Sequence, residues 1–257
     1  STLYAYDLLG FQTRRDNDKE LANLLRVFGH MPIEAITPMH IRQYMDLRGQ
    51  VAKVRANREK ALFSHIFNKA REWGFTTAQN PCQGVKGFKE TGRSRYVTDE
   101  EFERVRANAH CTVVDAMDIA LLTGERPSDV LKIQRTDIRD GALWIVQNKT
   151  GARLGIEITG ELAAVIERIN QRPRKAISPF LIQDENGQPL SQFALRSRFD
   201  KARTLAKVDF QFRDIRAKAA TDTGDLAHSQ KLLAHKNREM TEHYVKARIG
   251  ERVRPLR

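Results

Sequence analysis

Cysteine is scarce. Cys82 and Cys111 are the two in 257 residues, too few for a disulfide framework and without metal-ligand spacing. A reducing cytoplasm is therefore the expected compartment. No apolar run approaches the roughly 18 residues a membrane span needs, and no signal-peptide pattern opens the chain. Ser1 stands where a methionine would, which points to a fragment or a processed product. Internal repeats, low-complexity tracts and acidic clusters that would hold a divalent metal are all missing. Acid is the minority charge: 44 Lys and Arg face 32 Asp and Glu, a formal net charge of +12. The surplus falls on both halves of the chain and favours a polyanionic partner, because each cation that neutralises a phosphate releases a condensed counterion. On charge alone a merely soluble basic protein fits as well.

What is present is mostly helical periodicity. Leu21, Leu24, Leu25 and Phe28 fall at i, i+3, i+4 and i+7, and Gly29 follows as a stop. Thr37-Pro38 reads as the N-cap and first residue of a helix through about Arg48. A third helix is predicted from about Val51 to Trp73, with Phe63, Ile66, Phe67 and Ala70 on one face. The stretch Asn80-Pro81-Cys82-Gln83-Gly84 breaks regular structure, and residues 89–96 are polar with no apolar period. The expected division is a helical domain over 1–88, a linker over 89–96 and a second domain over 97–257. The second domain restarts at Thr98-Asp99-Glu100-Glu101, a capping box. A buried-looking helix over about 113–122 ends at Gly124. Strands over 142–147 and 153–158 flank a turn at Lys149-Thr150-Gly151. Helices follow near 160–170, 191–206, 214–223, 226–234 and 238–247. The fold class is mainly α with a small antiparallel sheet.

The chemistry-bearing residues form an ordered series of Arg126, Lys149, Arg213 with Arg216, His235 and Tyr244. Cleavage of a phosphodiester by a tyrosine needs an in-line nucleophile, donors for the non-bridging oxygens and a proton for the leaving alkoxide. Arginine suits the second task because its planar fork donates two parallel hydrogen bonds and keeps its charge. A lysine on a hairpin turn suits the third. Each residue also has an ordinary reading taken singly. Arg126 reads as a surface arginine at a helix start and Lys149 as a polar turn residue. His235 reads as a helix-end cap, and Tyr244 as a half-buried aromatic.

Taken together, the series resembles a tyrosine recombinase of the phage integrase type. The family's first box stands as Thr123-Gly124-Glu125-Arg126-Pro127-Ser128-Asp129, its hairpin lysine as Lys149-Thr150, and its second arginine as Arg216. Its Leu-Gly-His element stands as Leu233-Ala234-His235, and its nucleophile as Tyr244 within Met240-Thr241-Glu242-His243-Tyr244-Val245. The resemblance covers about residues 97–248, and the N-terminal helices resemble the family's core-binding domain. Asp129 is implied as a buttress of Arg126. Three departures stand out. The second box, usually His-x-x-Arg, is Arg213-Asp214-Ile215-Arg216, and an arginine cannot serve as a general base. The family's glycine is Ala234, and the stretch from Arg216 to His235 is a few residues short.

The resemblance implies a site-specific recombinase, with no cofactor and no metal, acting on double-stranded DNA attachment sites as a homo-tetramer, with a DNA-bending accessory protein as a further partner. Tyr244 would form a 3′-phosphotyrosyl bond, Lys149 would protonate the 5′ oxygen, and Arg126, Arg216 and His235 would hold the phosphoryl group. Lys53, Arg55, Asn57, Arg58 and Lys60 are expected on the DNA face of the N-terminal domain, mostly as phosphate contacts. Arg248, Arg252 and Arg254 are expected in a basic tail that packs on a neighbouring protomer. Family members usually carry an arm-type DNA-binding domain ahead of the core, and none is visible in this sequence. Two other readings use the same residues: a type IB topoisomerase, and a DNA-binding regulator descended from a recombinase.

Overall fold

A computed structural model of the chain describes residues 11–92, 95–173, 176 and 178–249. Within α10 below, the side chains of 243, 244 and 246–249 lie outside the described residues, as does the whole tail over 250–257. The chain folds as two compact units, 1–92 and 93–257.

Unit 1 packs α1 (Phe11–Phe28) against α2 (Pro38–Glu72). Leu24 and Phe28 of the predicted stripe are buried, whereas Leu25 turns to solvent. Thr37 caps α2 in a box with His40. The two helices expected over 38–48 and 51–73 are both present within the span α2, separated at Ala52, whose φ −153° and ψ 76° lie outside the helical region. The chain folds back at that break, because Tyr44 and Arg48 before it both bond Glu59 after it, residues that an unbroken helix would hold about 22 Å and about 16 Å away. Met45 and Gly49 before the break and Ala56, Glu59, Phe63 and Phe67 after it are buried, and the Phe28 ring of α1 meets both Tyr44 and Phe63. Gly49 leaves no room for a side chain, because a Cβ there would collide with the Phe88 ring. The buried carboxylate of Glu59 accepts from Tyr44 Oη at 2.8 Å, Arg48 Nε at 2.9 Å and Asn23 Nδ2 at 2.9 Å, so the charge carries its own partners into the core.

Unit 2 opens at the Thr98 capping box of α3 (Asp99–Ala107). The apolar helix α4 (Cys111–Thr123) follows, then the single turn α5 (Pro127–Val130). Strands β1 (Ile138–Arg139), β2 (Ala142–Val146) and β3 (Arg153–Glu157) form an antiparallel sheet in that order. Leu143 pairs with Ile156 and Ile145 with Leu154. Leu143 and Ile145 face the core while Trp144 and Val146 face out, the alternation a one-sided sheet requires. The remaining helices are α6 (Gly160–Gln171), α7 (Gln192–Leu205), α8 (Asp214–Asp222), α9 (Leu226–Leu232) and α10 (Arg238–Ile249). Helix α8 is the centre of the unit. Its residues 214–221 are all buried, and its alanines at 217, 219 and 220 allow close approach to α4, α9 and α10. Lys218, buried on the same helix, pairs with Asp99 and with Asp222 at 2.8 Å, which ties α8 to the start of α3. Cys82 and Cys111 are both free thiols.

Candidate active site

Helix α4 must stop for Arg126 to leave the core, and Gly124 makes the stop. It sits in the left-handed region at φ +65°, and a Cβ there would lie 3.1 Å from the Leu233 side chain. Both conditions favour glycine. The Thr123 hydroxyl donates to Ile119 O at 2.6 Å and accepts from Glu125 N at 3.3 Å, so the turn is pinned on both sides. Arg126 follows as the N-cap residue of α5 with Pro127 at the first helical position. Its side chain is partly buried, with Nη1 donating to Gln147 Oε1 at 3.2 Å and lying 3.9 Å from the buried carboxylate of Asp129. The other oxygen of Asp129 accepts from Asn148 N at 3.0 Å. One carboxylate therefore joins Arg126 to the residue before Lys149.

Lys149 is exposed on the turn between β2 and β3. Its two neighbours are held, Asn148 through Asp129 and Thr150 through a hydroxyl donated to Gln147 Oε1 at 2.9 Å. The ammonium thus rides on a fixed backbone with a solvent-facing stem.

Arg216 is buried on α8. Its Nη1 bonds to Gly124 O, its Nη2 donates to Leu233 O at 2.8 Å, and Nη1 lies 3.7 Å from Glu125 Oε2. Glu125 is itself buried, and burial pushes its carboxyl up from the ordinary range. Two residues past Leu233, His235 is 8% exposed, with Nδ1 3.0 Å from the hydroxyl of Thr241. That contact ties it to α10, three residues before Tyr244. Burial, reinforced by the charges of Arg216 and Arg126, lowers the His235 pKa to about 4. The imidazole is therefore neutral at physiological pH, a donor or acceptor rather than a third cation.

The structure brings together Arg126, Asp129, Arg216 and His235, with the Lys149 hairpin attached. Arg213 is exposed at the N-terminus of α8 and lines, with Pro127, Arg196 and Gln211, a cavity of about 490 Å³. Tyr244 belongs to α10, which packs on α8 and α9, but its side chain lies outside the described residues. In unit 1, Lys53, Arg55 and Arg58 are exposed, and Arg55 lies 3.3 Å from Glu20. Asn57 and Lys60, half-buried, bond within the chain. Asn57 Nδ2 donates to Phe88 O and Glu90 and its Oδ1 accepts from Phe88 N, while Lys60 donates to Val85 O. Three residues apart, they share a helix face turned toward the segment 85–90 and pin it to unit 1. Sequence reasoning missed Gln147 and Glu125. The available signal for Gln147 was its place two residues beyond Leu143 and Ile145 on the inward register of β2.

Two consequences are measurable. Ala234 holds φ +50° where the family has glycine, a conformation that costs an L-residue roughly 1–2 kcal/mol. Offset by the unfolded-state entropy that glycine adds, Ala234→Gly is expected to raise Tm by about 2 °C; a lower Tm would remove the strain argument. For His235, the folded pKa near 4 lies below its ordinary 6.5. Its contribution to stability is therefore fully present above about pH 6.5 and lost as pH falls toward 4, by about 3 kcal/mol in all. Urea unfolding between these pH values should show that slope in the wild type and a flatter one in His235→Gln. Equal slopes would mean that the imidazole titrates in the folded state as it does in the unfolded one.

Comparison with known proteins agrees with this arrangement. A family model described as the Phage integrase family matches residues 96–250. The prophage integrase IntE of Escherichia coli (strain K12) is 26% identical over 257 residues, covering 90% of this chain and 68% of that protein. The integrase of Escherichia phage HK022 is 29% identical over 202 residues, covering 72% of this chain and 56% of its own length. The chain thus spans roughly three fifths of such relatives. A lambda integrase(75-356) dimer bound to a COC' core site superposes with a TM-score of 0.85 at 21% identity, over 96% of this chain and 93% of that one. A lambda integrase tetramer bound to a Holliday junction gives 0.86 at 21% identity, over 99% and 79%. At such identities the likeness speaks of the fold.

Proposed function

The chain belongs to the phage integrase family of tyrosine recombinases, and from that premise we propose that it is a site-specific DNA recombinase of a phage or mobile element. In this reading Tyr244 Oη attacks the scissile phosphorus. A 3′-phosphotyrosyl bond forms, the bond to the 5′ oxygen breaks, and the ammonium of Lys149 supplies the proton that leaves with the 5′-hydroxyl. Arg126 and Arg216 neutralise charge on the non-bridging oxygens, with the neutral His235 as a hydrogen-bond partner. The phenol proton passes to solvent, since Arg213 cannot take it. The 5′-hydroxyl of a second duplex then reverses the step, so bond energy is kept in the phosphotyrosine and no ATP is consumed.

The observation that carries this reading is the convergence of Arg126, Arg216 and His235. The first two are joined through Gln147 and Leu233 O, and burial, reinforced by both arginines, holds the third neutral. Unit 1 acts as the core-binding domain, unit 2 as the catalytic domain, with the residues between about 89 and 96 as the linker. Lys53, Arg55 and Arg58 contact phosphates. A homo-tetramer on two attachment sites and a DNA-bending accessory protein complete the assembly, and the lambda integrase tetramer on a Holliday junction supports the tetramer by likeness. Among the described residues no helix is long and apolar enough to cross a membrane; the proposed place of action is the bacterial cytoplasm, at the nucleoid.

The exposed Arg213 in place of a histidine keeps one second reading alive, the DNA-binding regulator. An exchange assay separates the readings. Two end-labelled duplexes carrying the element's core sequence, incubated without ATP, are expected to give four-way junctions and recombinant strands. Supercoil relaxation without exchange would point to a topoisomerase. Specific binding without any cleavage would favour the regulator.

A further inference from the structure

Gln147 follows the last residue of β2, and its side chain turns inward with 1% of the residue exposed. Its carboxamide uses its full capacity of two lone pairs and two donors. Oε1 accepts from Arg126 Nη1 at 3.2 Å and from Thr150 Oγ1 at 2.9 Å; Nε2 donates to Glu125 Oε1 at 2.8 Å and to Leu233 O at 3.3 Å. The partners fix which end is oxygen, because a guanidinium has donors only and a backbone carbonyl accepts only. The four partners come from three parts of the site. Arg126 and Glu125 lie on the turn after α4, Thr150 on the Lys149 hairpin, and Leu233 O on the segment that binds Arg216 and leads to His235.

We propose that Gln147 is a positioning residue for strand cleavage, setting the spacing of Arg126, the Lys149 hairpin and the Arg216–His235 segment through a polarity-matched pair with Glu125. The proposal rests on the recombinase reading. Gln147 touches no substrate; it acts through the groups that do. In a buried network a half-satisfied member disturbs its neighbours more than its own bond is worth. A displacement of about 1 Å in groups that must meet a phosphate in line costs about 100-fold in rate.

The pairing with Glu125 makes the proposal testable in a way that packing alone is not. Gln147→Glu keeps both acceptors for Arg126 and Thr150 but sets a second carboxylate oxygen against buried Glu125. Adding Glu125→Gln returns a donor to that contact from the other side. The experiment uses the full chain and a nicked core-site duplex that traps the covalent adduct. It measures the single-turnover rate of adduct formation and, separately, the Kd for intact DNA and the Tm of each variant. Gln147→Leu and Gln147→Glu are expected to slow cleavage by about 100-fold with Kd changed by less than about threefold. The double variant Glu125→Gln with Gln147→Glu is expected to recover to within about tenfold of wild type. The deficit of Gln147→Glu should also narrow as pH is lowered, because one shared proton restores the donor. If Gln147→Leu does not fold, the Glu single and double variants carry the test, since they differ in charge placement and hardly in volume. Single variants that cleave at the wild-type rate would overturn the proposal, and so would a double variant as slow as Gln147→Glu. A wild-type chain that binds the site but forms no adduct would sink the recombinase reading itself, and the positioning role with it.

Discussion

Arg216→Lys is expected to slow formation of the DNA–protein adduct by about 1,000-fold while leaving DNA binding within about threefold of wild type. The size follows from how Arg216 is seated. Its two terminal nitrogens are held by Gly124 O and Leu233 O, and Nη1 lies 3.7 Å from Glu125. The guanidinium plane is therefore oriented before any phosphate arrives, and orientation fixed in advance is what makes such donors effective in a transition state. Losing one preorganised donor costs about 100- to 1,000-fold in comparable sites. A lysine has one nitrogen on a flexible stem and cannot bridge two carbonyls while also facing a phosphate. Lysine is the better probe than alanine. Arg216→Ala would leave the buried Glu125 carboxylate without its counter-charge, at a cost of about 3–5 kcal/mol in stability, and would confuse a folding defect with a catalytic one. A Lys variant that cleaves within tenfold of wild type would remove Arg216 from the phosphate clamp.

Lys149→Ala is expected to lower the cleavage rate by about 100- to 10,000-fold, the range for loss of a general acid, with no loss of stability, because the side chain is exposed and its backbone is held by its neighbours. The role has a chemical signature. A duplex with sulfur in place of the 5′ bridging oxygen has a leaving group that departs as a thiolate and needs no proton. On that duplex Lys149→Ala should cleave at nearly the wild-type rate, whereas Arg216→Lys should remain slow. A Lys149→Ala defect that persists with the sulfur substrate would reassign the ammonium to charge stabilisation. The two predictions thus separate proton donation from phosphate holding in one pair of substrates.

Much of the scaffold was legible because local physics decides it. Gly124 stops α4 where a side chain would meet Leu233, Thr98 starts α3 with a reciprocal cap, and the alternation of Leu143 and Ile145 with Trp144 and Val146 marks a strand with one wet face. The ordered series from Arg126 to Tyr244 was legible because arginine, lysine, histidine and tyrosine are chemically distinct. The supports of the site were not. Gly124 O and Leu233 O are backbone atoms, 92 and 17 residues from Arg216 in sequence, and no residue type announces a carbonyl. Gln147 and Glu125 read as ordinary polar residues until their burial is known. Asn57 and Lys60 show a role that composition does not announce: both bond backbone carbonyls of the chain's own segment 85–90. The helix break near residue 50 was legible in the sequence and falls at Ala52, where the chain folds back so that Tyr44 and Arg48 reach Glu59.

The most direct test of the central claim is to identify the residue joined to DNA. Wild-type chain is incubated in EDTA with a nicked core-site duplex, the covalent species is digested with protease and nuclease, and the nucleotide-bearing peptide is sequenced by mass spectrometry. The account predicts a single adduct, a 3′-phosphate ester of Tyr244 in the peptide around Glu242-His243-Tyr244-Val245, and its disappearance in Tyr244→Phe. An adduct on any other residue, or specific binding with no adduct at all, would contradict it.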